Sequence, residues 1–216
     1  MDILLTDDEV RLLGSLMEKE MATPDHYPLS LNALKNACNQ KSNRNPVVSF
    51  DEETVLYSLK GLLERKIVRK STMSRVAKYE QVFTNEVKLV AREEAVICIL
   101  LLRGPQTIGE IRGRTERLFA FDNLDDVQQT LSSLEEMELV SKLPRQPGRK
   151  ESRYTHLLSG EPQEISVDSV ARAETDTVIV RKKNDQQIEL QEQIDSLRQE
   201  LQSLQLEFET FKSQFD

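Results

Sequence analysis

The sequence predicts a mainly α chain with small β-hairpins, and three observations carry that expectation. A block at residues 55–70 recurs at residues 127–142. Each copy follows two amphipathic helical segments and precedes two short β-rich runs. The end of the chain carries an unbroken heptad seam. Together they predict two tandem winged-helix domains, each three helices plus a hairpin wing, and a C-terminal coiled-coil helix. The expected boundaries are 1–86, 87–160, a linker at 161–183, and the coiled coil at 184–216.

The first element is signalled by a capping box. Thr6 precedes the helix and Glu9 lies three residues on, while Leu5 and Val10 have the spacing of a hydrophobic staple. Val10, Leu13, Leu16 and Met17 share one face, and Pro24 lies beyond the expected stop. Ser30 caps the second helix, whose stripe is Leu31, Leu34 and Cys38. The polar, turn-rich stretch from Asn39 to Pro46 separates it from a third helix over about 51–66, with Val55, Leu59, Leu62 and Leu63 inward. Residues 67–72 and 78–84 read as strands.

The second copy follows the same order. At an offset of 72, Val55, Leu59, Leu62, Glu64, Val68 and Lys70 match Val127, Leu131, Leu134, Glu136, Val140 and Lys142. Upstream, Pro28–Leu34 matches Pro105–Ile111 at an offset of 77. Leu12, Leu13, Leu16 and Met17 relate to Val96, Ile97, Leu100 and Leu101. Thr107 and Glu110 form a second capping box, and residues 139–145 and 152–158 flank a turn at Pro147 and Gly148. In the tail, Leu190, Ile194, Leu197, Leu201, Leu204, Phe208, Phe211 and Phe215 alternate spacings of four and three. This seam predicts self-association or a helical protein partner, with the alternative of a lone amphipathic helix packed on the body.

Charge and composition narrow the function classes. The net charge of −8 is uneven: residues 161–216 hold 13 acidic and 6 basic side chains, and residues 1–160 hold 24 and 23. A nearly neutral body leaves room for a local basic patch. No apolar run approaches the roughly 20 residues of a membrane span, and the first residues lack the features of a signal peptide, so the expected location is the cytoplasm. Cys38 and Cys98 lie in apolar-periodic segments and read as buried reduced thiols. With His26 and His156 as the only histidines, no zinc-type spacing occurs, and no metal or cofactor is expected. None of the phosphate-loop, dinucleotide, zinc-protease or nucleophile-elbow motifs is present, so an enzyme is not expected.

The stretch Glu18–Val47, with YPLSLNAL followed by ACNQKSNR, resembles the signature of the YceH-like family of bacterial proteins. The resemblance covers roughly residues 1–160. It implies tandem winged-helix domains and brings no catalytic residue to carry over. Within it, Asn39, Gln40, Lys41, Asn43 and Arg44 admit two readings: a polar contact surface for phosphates or a partner, or local capping at two helix ends. Tyr27, between Pro24 and Pro28, reads as a packed loop anchor.

Two function classes remain. A DNA-associated regulator is suggested by basic wings: Lys66, Arg69, Lys70, Arg75 and Lys78 in the first, and Arg145, Arg149, Lys150 and Arg153 in the second. These could neutralise phosphates of double-stranded DNA. Against groove insertion, the third helices begin DEET at Asp51 and DNLDD at Asp122, placing carboxylates where bases are normally read. The alternative is a protein-interaction adaptor using winged-helix surfaces and the coiled coil.

Overall fold

A computed structural model describes residues 4–71, 76–145 and 151–160. The expected linker and coiled-coil seam, and the wing residues Arg75, Arg149 and Lys150, lie outside the described residues. The described chain is mainly helical with small antiparallel sheets, in a winged-helix-like order. It runs α1 (Asp7–Ala22), β1 (Leu29–Ser30), α2 (Leu31–Cys38), α3 (Glu52–Glu64), β2 (Val68–Ser71), β3 (Lys78–Gln81) and α4 (Phe83–Val87). The second half contains α5 (Ala91–Arg103), α6 (Ile108–Thr115), α7 (Leu124–Glu136), β4 (Val140–Lys142) and β5 (Tyr154–His156).

The caps read from sequence are formed. Thr6 Oγ1 accepts from the Glu9 amide at 3.3 Å, and Glu9 Oε2 accepts from the Thr6 amide at 2.9 Å. Thr107 and Glu110 repeat that box at 3.2 and 2.9 Å. Ser30 caps α2 and Asp51 caps α3. Asn123, which stands for Asp51 at the offset of 72, caps α7, so the helix begins at Leu124 rather than at Asp122. These side chains satisfy backbone N–H groups that a helix start otherwise leaves open.

The strands differ from the sequence expectation at both ends. β3 stops at Gln81, where residues to 84 were expected to be extended, and α4 follows. Gln81 causes the break: its Oε1 accepts from the Thr84 amide and its Nε2 donates to Thr84 Oγ1. Phe83 is then buried at 1% exposure. β1 was not expected at all. It pairs antiparallel with β3, Leu29 facing Tyr79, giving the order β1-β3-β2. The second half repeats this with a single bridge, Gln106 to Tyr154, beside β4 and β5. Gln106 stands where the offset of 77 puts the equivalent of Leu29.

One core runs through both copies of the repeat. α1 is buried without interruption from Glu9 to Met17, and α5 from Ala95 to Leu102. A helix buried all round needs neighbours on every side, and α1 and α5 are neighbours of one another. Their crossing is close at Gly14: a Cβ there would stand 3.0 Å from Leu101 Cβ. The Cys98 thiol lies 3.6 Å from the Gly14 carbonyl at this contact.

The first and third helices are tied in each half by the third residue of the first helix. Glu9 caps α1 and also pairs with Arg65 at the end of α3. Glu93 accepts from the Val90 amide at 3.0 Å and from Ser133 Oγ of α7 at 2.7 Å. Both third helices end alike. Ile67 N–H reaches Leu62 O and Lys66 N–H reaches Leu63 O, with Lys66 left-handed at φ 58°. Leu139, Glu138, Leu134 and Glu135 repeat the pattern, with Glu138 also at φ 58°. This is a Schellman ending with a side chain where glycine is preferred.

A non-glycine residue in this conformation costs about 1–2 kcal/mol, partly offset by the greater entropy that glycine loses on folding. Glu138→Gly should therefore stabilise the protein by about 0.5–1 kcal/mol. Urea unfolding at equilibrium checks this, and a lower midpoint in the variant would refute it.

Candidate functional site: the polar loop, the hairpins and the third helices

The loop between α2 and α3 is built inward. Asn39 donates to the Phe50 carbonyl and accepts from the Phe50 amide, both at 2.7 Å, closing the loop across its base. Arg44 has a fully buried side chain. Its guanidinium grips Glu18 of α1 in a two-pronged ion pair at 3.0 and 2.6 Å. The remaining N–H groups reach the Ala37 carbonyl, from Nε at 3.2 Å and Nη2 at 2.9 Å, and the Asn43 carbonyl at 3.0 Å. All five donors are used, two of them on a carbonyl at the C-terminal end of α2. Burial pushes the Glu18 carboxyl up, but the Arg44 fork outweighs it and holds the group below the usual carboxylate range.

The same loop fastens α5. The Asn45 amide donates to the Leu102 carbonyl at 2.9 Å, and Arg103 donates to Asn43 Oδ1. Arg11 of α1 donates to the Pro46 carbonyl at 2.5 Å. Of the five loop residues considered for contact, Arg44 is consumed inside the protein and Asn39 by the loop's own closure. Gln40 is half-buried, and Lys41 and Asn43 face solvent. Tyr27 is an anchor, accepting from the Gln81 amide at 2.6 Å.

The basic hairpin residues separate into paired and outward-facing groups. Arg69 Nε donates to Glu80 Oε1 across the β2–β3 ladder at 2.7 Å. Lys66 and Lys70 are exposed, and Lys78 is half-buried opposite Ser71. In the second half, Arg153 donates to the Pro105 carbonyl at 2.7 Å and pairs with Glu110 at 3.0 Å. Lys142 Nζ lies 5.8 Å from the centre of the Tyr154 ring, a cation–π contact, and Arg145 is exposed. His156 of β5 is pushed down to about 4 by burial, with Asp7 opposing weakly.

The third helices turn carboxylates outward. Asp51, Glu52 and Glu53 are exposed at the start of α3, as are Asp122 and Asp125 at α7. Sequence reasoning overlooked two further residues on α3: Leu56 is 45% and Tyr57 81% exposed. The available signal was that both fall off the Val55–Leu59–Leu62 stripe. A pocket of about 330 Å³ lies against α6, lined by Gly109, Arg112, Gly113, Glu116, Ala120, Phe121 and Leu124. Arg112 is committed there to the Phe121 and Asp122 carbonyls. Among the described residues no three His, Cys, Asp or Glu side chains gather as a metal-binding group, and no helix is long and apolar enough to cross a membrane.

Removing one partner of a buried ion pair leaves the other charge unpaired, at a cost of about 3–5 kcal/mol. Arg44→Ala should lose that much stability in urea unfolding, and Arg44→Lys should also be destabilised because an ammonium cannot reproduce the fork. A loss below about 1 kcal/mol would show that the pair is dispensable. For His156, the unfolded chain titrates near 6.5 and the folded one near 4. Falling pH therefore protonates the unfolded state first, and this contribution to stability is lost between those values. His156→Gln should flatten the slope of stability against pH in that window, and an unchanged slope counts against the assignment.

The comparisons with known proteins agree with one another. A family model described as a protein of unknown function, DUF480, matches residues 5–149. A UPF0502 protein of Solibacter usitatus is 49% identical over 217 residues, covering 100% of both chains. One from Pelobacter propionicus is 46% identical over 219 residues with the same full coverage. Another, from Vibrio campbellii, is 49% identical over 184 residues, covering 81% of this chain and 83% of its own. The matched span includes Glu18–Val47, the stretch that carried the family resemblance, and the loop fastened by Arg44. The chain thus belongs to the DUF480 family of bacterial UPF0502 proteins.

Proposed function

We propose that the chain is a non-enzymatic cytoplasmic protein of two tandem winged-helix domains that contacts the phosphates of duplex DNA through its hairpins, without base reading by the third helices. The observation that carries this reading is the division of charge. Lys66 and Lys70 face solvent beside the first hairpin, with no ion pair to any described residue, while the exposed starts of α3 and α7 carry carboxylates. Phosphate contact needs only positioned cations. Insertion of α3 or α7 into a major groove would bring those carboxylates between two rows of phosphates. Each half also has the element order of a winged helix: helix, short extended segment, two helices, hairpin. The heptad seam at residues 190–215 adds self-association or a helical partner to this reading.

Fluorescence anisotropy with mixed-sequence duplex DNA, titrated in salt, tests it. The expected result is sequence-independent binding whose log affinity falls linearly with log salt. Lys66→Gln and Lys70→Gln should each reduce the slope by about 0.9, the value for one phosphate contact. Slopes unchanged by these substitutions would remove the hairpin from the interface. No binding at low salt would retire the DNA reading in favour of the adaptor.

A further inference from the structure

We infer that the exposed face of α3 is a docking surface for a cationic amphipathic helix of a partner protein. The face is defined by helical spacing: Glu53, Leu56, Tyr57 and Lys60 lie at i, i+3, i+4 and i+7 on adjoining turns. All four are exposed. Tyrosine is among the side chains most enriched at the energetic centre of protein interfaces, and Tyr57 is 81% exposed.

The repeat provides an internal control. At the offset of 72, Gln128 stands for Leu56 and Gln129 for Tyr57. Gln128 bonds the Tyr154 hydroxyl at 3.3 Å, and Gln129 is exposed. The second copy therefore forms the same helix with polar side chains at both positions, so the fold does not require the apolar pair. Its presence on α3 calls for a contact outside this body.

Charge selects the occupant. Asp51, Glu52 and Glu53 stand beside the pair; Asp51 caps the helix, Lys35 reaches Glu52 at 4.0 Å, and Glu53 has no ion pair to any described residue. The helix N-terminus offsets about half a charge, which leaves the rim negative. At the other end Lys60 is balanced by Glu64 at 3.9 Å. A helix face also has no free backbone groups for an added strand, so recognition is by side chains. The matching surface is an apolar stripe flanked by Lys or Arg. Nucleic acid has the wrong charge for this rim.

The probe is a fluorescein-labelled amphipathic peptide of leucine and lysine, with a leucine–glutamate peptide and duplex DNA as comparisons, added to the full chain. The leucine–lysine peptide should bind. Tyr57→Gln introduces the residue that the second copy uses and leaves the charge unchanged; it should weaken binding about tenfold, the scale of an interface anchor. Glu52→Gln with Glu53→Gln should weaken it and reduce its salt dependence, while thermal melts show each variant folded. Equal binding by the Tyr57 variant, or equally tight binding of the glutamate peptide, overturns the inference. So does binding of labelled duplex DNA that is lost on Tyr57→Gln, which would place nucleic acid on this face. Self-association lost on Tyr57→Gln in sedimentation would make the occupant a second copy and overturns it also.

Discussion

Arg44 and Glu18 meet inside the protein, and much of the first half is arranged around their contact. A buried charge is tolerated only when paired and hydrogen-bonded on every side. The guanidinium fork meets that demand with the Glu18 carboxylate and the carbonyls of Ala37 and Asn43. To bring these groups together, α1, the end of α2 and the following loop must hold a fixed relation. The pair is thus a constraint on geometry more than a source of net stability, since apolar packing of equal volume would often serve as well.

The constraint passes to the second half through the same loop. Asn45 and Asn43 hold the C-terminal end of α5, beside the crossing where Gly14 lets α1 approach. Any side chain at Gly14 would need Leu101 or Leu102 to yield, and close-packed interiors give little. The two copies of the repeat share their most buried helices. Each still clamps its first helix to its third and ends the third alike, down to left-handed Lys66 and Glu138.

Set on this frame, the surface sorts its charges. Arg69 and Arg153 are held by Glu80 and Glu110, and the lysines beside the first hairpin remain turned to solvent. The two third helices share a backbone design and an acidic start, yet differ where Tyr57 is replaced by Gln129. Duplicated architecture with unequal faces allows one body to carry two kinds of contact.

What the sequence by itself determined was local and periodic. Capping boxes at Thr6 and Thr107, the inward stripes of the third helices, the repeat and the family were all readable, because they depend on residues three or four apart or on direct similarity. The bounds of β3 were less readable, since a strand run and a Gln81 cap compete over the same few residues. Tertiary structure decided the rest. In sequence Arg44 was open to a contact surface or to local capping, and it became a core ion pair because its partner lies 26 residues away. Two-residue β1 exists only because β3 arrives to pair with it. Tyr57 lies off the inward stripe, as spacing shows, but that its face of α3 stays uncovered was settled only by where α1 and α2 pack. Local spacing says which residues share a helix face, but only the assembled core determines which faces are covered.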